Sequence, residues 1–157
     1  MPPLSSSSSS SATTTINSTP TPNSSSSPAV PSAAPAKVRA KDPYSNALII
    51  TEGEYDCMAV ASALSKHKKL KDVPVVSLPN GCSSFPSDLI PLLERFDSVF
   101  IYMDYDSSGQ QGAEKIIKKL GSGRCYLVTP LPTPTPPPKD ANDALRMYGA
   151  DYIAQCI

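Results

Sequence analysis

The sequence predicts an α/β domain, built on a mostly parallel four-stranded sheet flanked by helices, over residues 42–157. Two observations predict this fold class. Four short apolar runs rich in β-branched and aromatic residues occur in this part of the chain, and segments with the apolar spacing of amphipathic helices follow them. Strands that alternate with helices need crossover connections, and such connections produce a parallel sheet.

The four predicted strands cover residues 47–51, 73–78, 99–103 and 125–129. The third is continuously apolar, which is typical of a strand buried on both faces. Apolar residues then recur at helical spacing in four segments: Cys57, Val60, Ala61 and Leu64; Leu89, Ile90, Leu93 and Phe96; Ala113, Ile116, Ile117 and Leu120; Ala150, Ile153, Ala154 and Ile157.

Polar residues predict where the helices begin and end. Ser87 or Asp88 is expected to cap the second helix, and Asp140 is expected to cap a helix that follows a loop with six prolines at 130–138. The basic residues at 66–69 are expected to form the C-terminal end of the first helix, where positive charge is favourable.

Residues 1–41 consist almost wholly of Ser, Thr, Pro and Ala, and no acidic residue precedes Asp42. Such a segment buries too little apolar area to offset its ordering entropy, so it is predicted to be disordered. From Asp42 onward, fourteen acidic residues stand against eleven basic ones, a formal net charge of −3. This balance excludes a large basic footprint for nucleic acid.

The cysteines and the single histidine do not suggest a zinc site. Cys57, Cys82, Cys125 and Cys156 form no C-x-x-C pair, and His67 lies among lysines, where a solvated position is expected. No apolar run approaches the roughly 20 residues of a membrane helix, so no membrane partner is predicted.

Acidic residues follow three of the predicted elements. Because parallel strands bring their carboxyl ends to one sheet edge, these side chains are expected to converge there: Glu52 and Asp56, Asp104 and Asp106, and Asp140 and Asp143. A divalent cation would relieve their repulsion, and all-oxygen ligands favour Mg²⁺ or Mn²⁺ and a phosphate-bearing substrate. The alternative is that Asp56, Asp140 and Asp143 cap helices or face water.

Four motifs in this order resemble the Toprim domain of phage-type primase-helicases and their organellar relative Twinkle: TEGEYDCMAV, VVSLPNG, YMDYDSSGQQGA and KDANDAL. The resemblance covers residues 46–148 and implies a Rossmann-like fold. It also implies a role for each matched residue: Glu52 as catalytic acid/base or metal-facing carboxylate, Asp104 and Asp106 as catalytic magnesium ligands, Asp56 and Asp140 as supporting metal-site acids, and Lys139 as a phosphate contact. The chain departs from the family at Gln110 and Gln111, where a basic residue is usual.

The resemblance implies a magnesium-dependent module of a primase-helicase-like protein, acting in DNA replication on single-stranded DNA and nucleotides beside other replication proteins. The alternatives are a small Toprim nuclease and a non-catalytic scaffold in a replication complex. The chain lacks the G-x-x-x-x-G-K-[ST] motif, so helicase activity is not expected from it alone. The resemblance and the Ser-rich start predict a mitochondrial or other organellar location, with the nucleoid or cytoplasm as the alternative.

Overall fold

The computed structural model describes residues 42–82, 85–132 and 136–157. The predicted disorder of residues 1–41 lies outside the described residues. None of the helices in the described ranges has the length and apolarity to cross a membrane.

A four-stranded sheet in the order β2-β1-β3-β4 forms the centre of the domain. Its strands are β1 (Ala47–Thr51), β2 (Val75–Ser77), β3 (Ser98–Tyr102) and β4 (Cys125–Leu127). All neighbouring strands pair in parallel, which confirms the predicted fold class. The strands at the two sheet edges, β2 and β4, have three residues each and are shorter than predicted.

Helices cover both faces of the sheet. They are α1 (Glu54–Leu64), α2 (Ile90–Leu93), α3 (Ser107–Leu120), α4 (Ala141–Tyr148) and α5 (Ala150–Cys156). Helices α1, α4 and α5 share one core with Ile49 and Phe100. Helices α2 and α3 share the other core with Leu48 and Ile101. Successive strand residues therefore point to opposite faces, and both faces are buried, as the continuously apolar third strand predicts.

Two details of the predicted helices are wrong. Helix α1 ends at Leu64, so the basic residues 66–69 lie in the turns beyond it and not in its last turn. The second predicted helix is a 3₁₀ turn, Ser87–Leu89, followed by the four residues of α2, and neither Ser87 nor Asp88 caps it with a side chain. Pro91 lies in the first turn of α2, a position where its missing N–H group is tolerated.

Gly109 allows the start of α3 to pack directly on the turn that follows β3. A Cβ atom at this position would overlap the backbone carbonyl of Asp104, whereas one at Gly123 would meet nothing within 4 Å. The close approach places the first turn of α3 against the turn that contains Asp104 and Asp106, which we call the acidic turn.

We expect Gly109→Ala to destabilise the domain by about 1–3 kcal/mol, because a rigid backbone must shift to admit the methyl group. In an unconstrained helix the same substitution stabilises by up to about 1 kcal/mol. The sign of the change in the free energy of unfolding therefore distinguishes the close approach from a freely accessible helix position. Urea unfolding measures the difference, with Gly123→Ala as the matched control. A stabilised Gly109→Ala variant would contradict the close approach.

Candidate functional site

Glu52 and Asp104 meet at the carboxyl edge of the sheet. In the register between β1 and β3, Thr51 pairs with Tyr102, so both strands end at the same level. The backbone N–H of Asp104 donates to Glu52 Oε2 at 3.4 Å. The Glu52 carboxylate is thereby placed next to the backbone of Asp104, close enough for its charge to act on the Asp104 carboxyl group.

The Asp104 carboxyl group lies in an environment that disfavours its charge. Its side chain is only 20% exposed, and Lys139 Nζ lies 3.5 Å from its Oδ2 atom. Burial, followed by the nearby negative charge of Glu52, raises the pKa of Asp104 to about 6 despite the opposing effect of Lys139. The lysine has the smaller effect because its side chain is 63% exposed and water screens its charge.

Lys139 reaches this edge through a backbone contact. Its carbonyl accepts a hydrogen bond from Tyr105 N at 2.8 Å, which fixes the segment before α4 against the end of β3. The negative charge of Asp104 raises the pKa of Lys139. The loop before α4 thus brings one cation to the two carboxylates.

Asp106 has a different partner from Asp104. Its Oδ1 atom accepts hydrogen bonds from Gly109 N at 2.8 Å and from Ser108 Oγ at 2.7 Å, so this exposed residue caps the N-terminus of α3. The Gly109 N–H holds the pKa of Asp106 below its usual value. The structure therefore separates the two predicted magnesium ligands, with Asp104 beside Glu52 and Asp106 on the helix.

Asp56 and Asp140 both accept hydrogen bonds at the start of α4. Asp56 Oδ1 accepts from Asn142 N at 3.0 Å, and Asp140 Oδ1 accepts from Asp143 N at 2.7 Å. The capping role predicted for Asp140 is confirmed. Burial raises the pKa of Asp56, and the charge of Asp140 adds to this increase. In this geometry Asp56 connects α1 to α4, and Asp140 caps α4.

Within the described ranges, no three His, Cys, Asp or Glu residues are arranged to hold a metal ion together. The predicted five-carboxylate metal cluster is therefore not assembled there. The pair formed by Glu52 and Asp104 still fits Mg²⁺ chemically, because this ion is usually bound through one or two carboxylates and takes its other ligands from water and phosphate. The raised pKa of Asp104 is the sign of a site where positive charge would be favourable.

Comparison with known proteins identifies the family. The family model described as Toprim-like matches residues 49–145, more than half of the chain. The chain belongs to the Toprim-like family. The resemblance predicted from the four motifs is confirmed.

Similar proteins include a primase homolog protein of Arabidopsis thaliana, 26% identical over 122 residues, which cover 70% of this chain and 36% of that protein. The primase fragment of the bacteriophage T7 primase-helicase protein has a TM-score of 0.59 and 24% identity, over 70% of this chain and 43% of that one. T7 primase domains bound to an RNA/DNA hybrid and dTTP, solved with the lagging-strand DNA polymerase, give a TM-score of 0.59 and 23% identity, over 71% of this chain and 53% of that one. This Toprim-like chain spans about a third of its curated relative, and the solved structures share its fold.

Two further residues support the Toprim-like site but were not assigned a role from the sequence. Gln110 Nε2 donates to the carbonyl of Asp104 at 3.0 Å and so holds the acidic turn from helix α3. The buried Cys82 donates through Sγ to the carbonyl of Ser108 at 3.5 Å. Burial and the neighbouring Glu52 raise the pKa of Cys82 to about 11. Gln110 lies in the YMDYDSSGQQGA motif and Cys82 directly follows the VVSLPNG motif, but spacing alone does not reveal their contacts.

Asp104→Asn is expected to stabilise the domain at pH 8 in the absence of divalent ions. The pKa of Asp104 is raised from 3.8 to about 6, so the folded state holds the proton of this carboxyl group more tightly than the unfolded state does. The wild type therefore loses stability as the pH rises from about 4 to 6. The variant should therefore be more stable than the wild type at pH 8, by on the order of 2 kcal/mol, and nearly equal to it at pH 4. Urea unfolding with a chelator measures both values.

The matched control, Asp106→Asn, should have the opposite sign. The pKa of Asp106 is lowered, so its contribution to stability is present at neutral pH and is lost as the pH falls through that lowered value. A destabilised Asp104→Asn variant at pH 8 would show that the folded structure does not disfavour the charged form of Asp104.

Proposed function

We propose that this domain is the magnesium-dependent Toprim module of a primase-helicase-like, Twinkle-like protein and acts in nucleotidyl transfer during DNA replication. The observation that carries the proposal is the pairing of Glu52 with Asp104 at neighbouring strand ends, beside Lys139. An acidic pair with a cation next to it suits a substrate that carries phosphate and arrives with a metal ion.

Glu52 and Asp104 would hold the metal ion. When bound there, Mg²⁺ supplies charge stabilisation to the attacking and leaving oxygens of phosphoryl transfer. Lys139 can exchange its contact with Asp104 for a substrate phosphate, since its side chain is largely exposed and flexible. Gln110 and Gly109 keep the Asp104 backbone fixed while this happens.

The similar proteins support the substrate and the partners. The T7 primase domains are bound to an RNA/DNA hybrid and dTTP and interact with a DNA polymerase. By analogy, single-stranded DNA, nucleotides and other replication proteins are the proposed partners of this domain. A primer-synthesis assay and a nuclease assay on single-stranded DNA, run side by side, would separate nucleotidyl transfer from the nuclease alternative.

A mitochondrial or other organellar location is part of the proposal. It rests on the Twinkle-like resemblance and on the Ser-rich composition of residues 1–41. Import of a reporter protein fused to residues 1–41 would support it, and retention of the fusion in the cytosol would contradict it.

Millimolar Mg²⁺ or Mn²⁺ should raise the thermal midpoint of the wild-type domain, because the ion binds the folded acidic pair and relieves its repulsion. Glu52→Gln combined with Asp104→Asn should abolish the shift. Differential scanning calorimetry over a metal titration measures it.

Asp143→Asn serves as the control for this titration, because Asp143 pairs with Arg146 at 3.7 Å and is not part of the acidic pair. The control should retain the full metal-induced shift. A wild-type domain without any shift would favour the scaffold alternative and contradict a metal-dependent function.

A further inference from the structure

The topology directs each helix that follows a strand away from the acidic edge. In a parallel sheet, α1 starts at the carboxyl edge, next to Glu52, and returns to the opposite, amino edge. With 11 residues, it spans about 16 Å. The segment between α1 and β2, residues 65–74, therefore lies at the amino edge.

This segment carries the densest positive charge of the described residues. We call residues 66–71 the lysine loop: Lys66, His67, Lys68, Lys69 and Lys71, with Leu70 between them. The four lysines and His67 are all exposed. The lysine loop holds four of the eleven basic residues of a domain whose formal net charge is −3. The overall charge conceals a local positive patch.

The lysine loop has a defined conformation. Leu70 is 2% exposed and belongs to the core that α1 shares with the sheet. Backbone hydrogen bonds join Leu70 N and Lys71 N to the carbonyl of His67, at 3.0 and 2.9 Å, and Val73 N to the carbonyl of Leu70, at 3.0 Å. An apolar anchor and these turns hold the lysines together in spite of their mutual repulsion.

Three lysines of the loop and Lys115 and Lys118 of α3 have no side-chain partner among the described residues, and the loop is distinguished by the close spacing of its lysines. Five basic side chains elsewhere contact described residues of the domain: Arg95, Lys119, Arg124, Lys139 and Arg146. Within the loop, Lys71 pairs with Asp72 at 3.5 Å, and both side chains are mostly exposed. Lys66, Lys68 and Lys69 make no ion pair or side-chain hydrogen bond in the described part of the chain. Their charges are available to a ligand.

We infer that the lysine loop is a second nucleic-acid contact, which binds the phosphate backbone of a single strand without regard to sequence. The inference rests on the proposed function, since the same strand would supply the substrate of the acidic edge. Closely spaced lysines without interleaved aromatic side chains suit phosphates better than bases. The acidic edge and the lysine loop lie about 16 Å apart along α1. A nucleic-acid strand that contacts both of them therefore crosses one side of the domain.

The test is the salt dependence of binding of the full chain to a fluorescent oligothymidylate, measured by anisotropy. Lys66→Gln combined with Lys69→Gln should weaken binding more than about fivefold at low salt. It should also reduce the slope of log K against log salt by about 1.4, since each lost contact with a single strand removes about 0.7. The charge-retaining variant, Lys66→Arg with Lys69→Arg, should restore both quantities and shows that the fold is intact.

Lys115→Gln combined with Lys118→Gln is the matched control, because it removes two exposed charges from α3. It should leave the slope unchanged. Equal effects of the two double variants, no effect of either, or equally strong competition by polyglutamate would overturn the inference.

Magnesium binding separates this inference from the proposed function. The loop variant should keep the wild-type metal-induced rise in thermal midpoint. A wild type that shows this rise but binds no oligothymidylate would overturn the inference and leave the metal site standing. Loop-dependent binding without any metal-induced rise would support the inference as a contact and remove the metal-dependent function.

Discussion

The parallel register of β1 and β3 is the constraint on which the site depends. It ends the two strands level with each other and forces Glu52 and Asp104 together. Their repulsion and the burial of Asp104 raise the pKa of that group to about 6. A partly buried like-charged pair persists only where the surrounding packing imposes it, and here Gln110 and Gly109 hold the backbone of Asp104 in place from α3.

Three other acids of the carboxyl edge accept hydrogen bonds from N–H groups in the first turn of a helix. Asp106 caps α3, and Asp56 and Asp140 accept hydrogen bonds at the start of α4. The first N–H groups of a helix have no partner inside the helix, and they stabilise an adjacent carboxylate. Asp56, Asp106 and Asp140 thus have structural roles at helix starts. The pair Glu52 and Asp104 is the one whose negative charge a bound cation or a proton would neutralise.

Negative and positive charges are concentrated at opposite edges of the domain. Helix α1 runs from the acidic pair to the lysine loop, so one helix links the two charged regions. This arrangement suits a module that handles a charged polymer, and the Toprim-like family match agrees with a site for phosphate chemistry. The match to the curated primase homolog covers 36% of the length of that protein.

The sequence by itself determined the alternation of strands and helices and the burial of the third strand on both faces. These follow from apolar periodicity and local order, which are properties of short segments. The motif positions Glu52, Asp104 and Lys139 followed from the resemblance to the Toprim family. Only the tertiary structure decided that Asp104 faces Glu52 whereas Asp106 caps a helix, and that the lysines lie beyond α1 at the opposite edge. The reason is physical: the direction of a side chain depends on which N–H groups and charges come within reach, and packing between distant segments sets those neighbours.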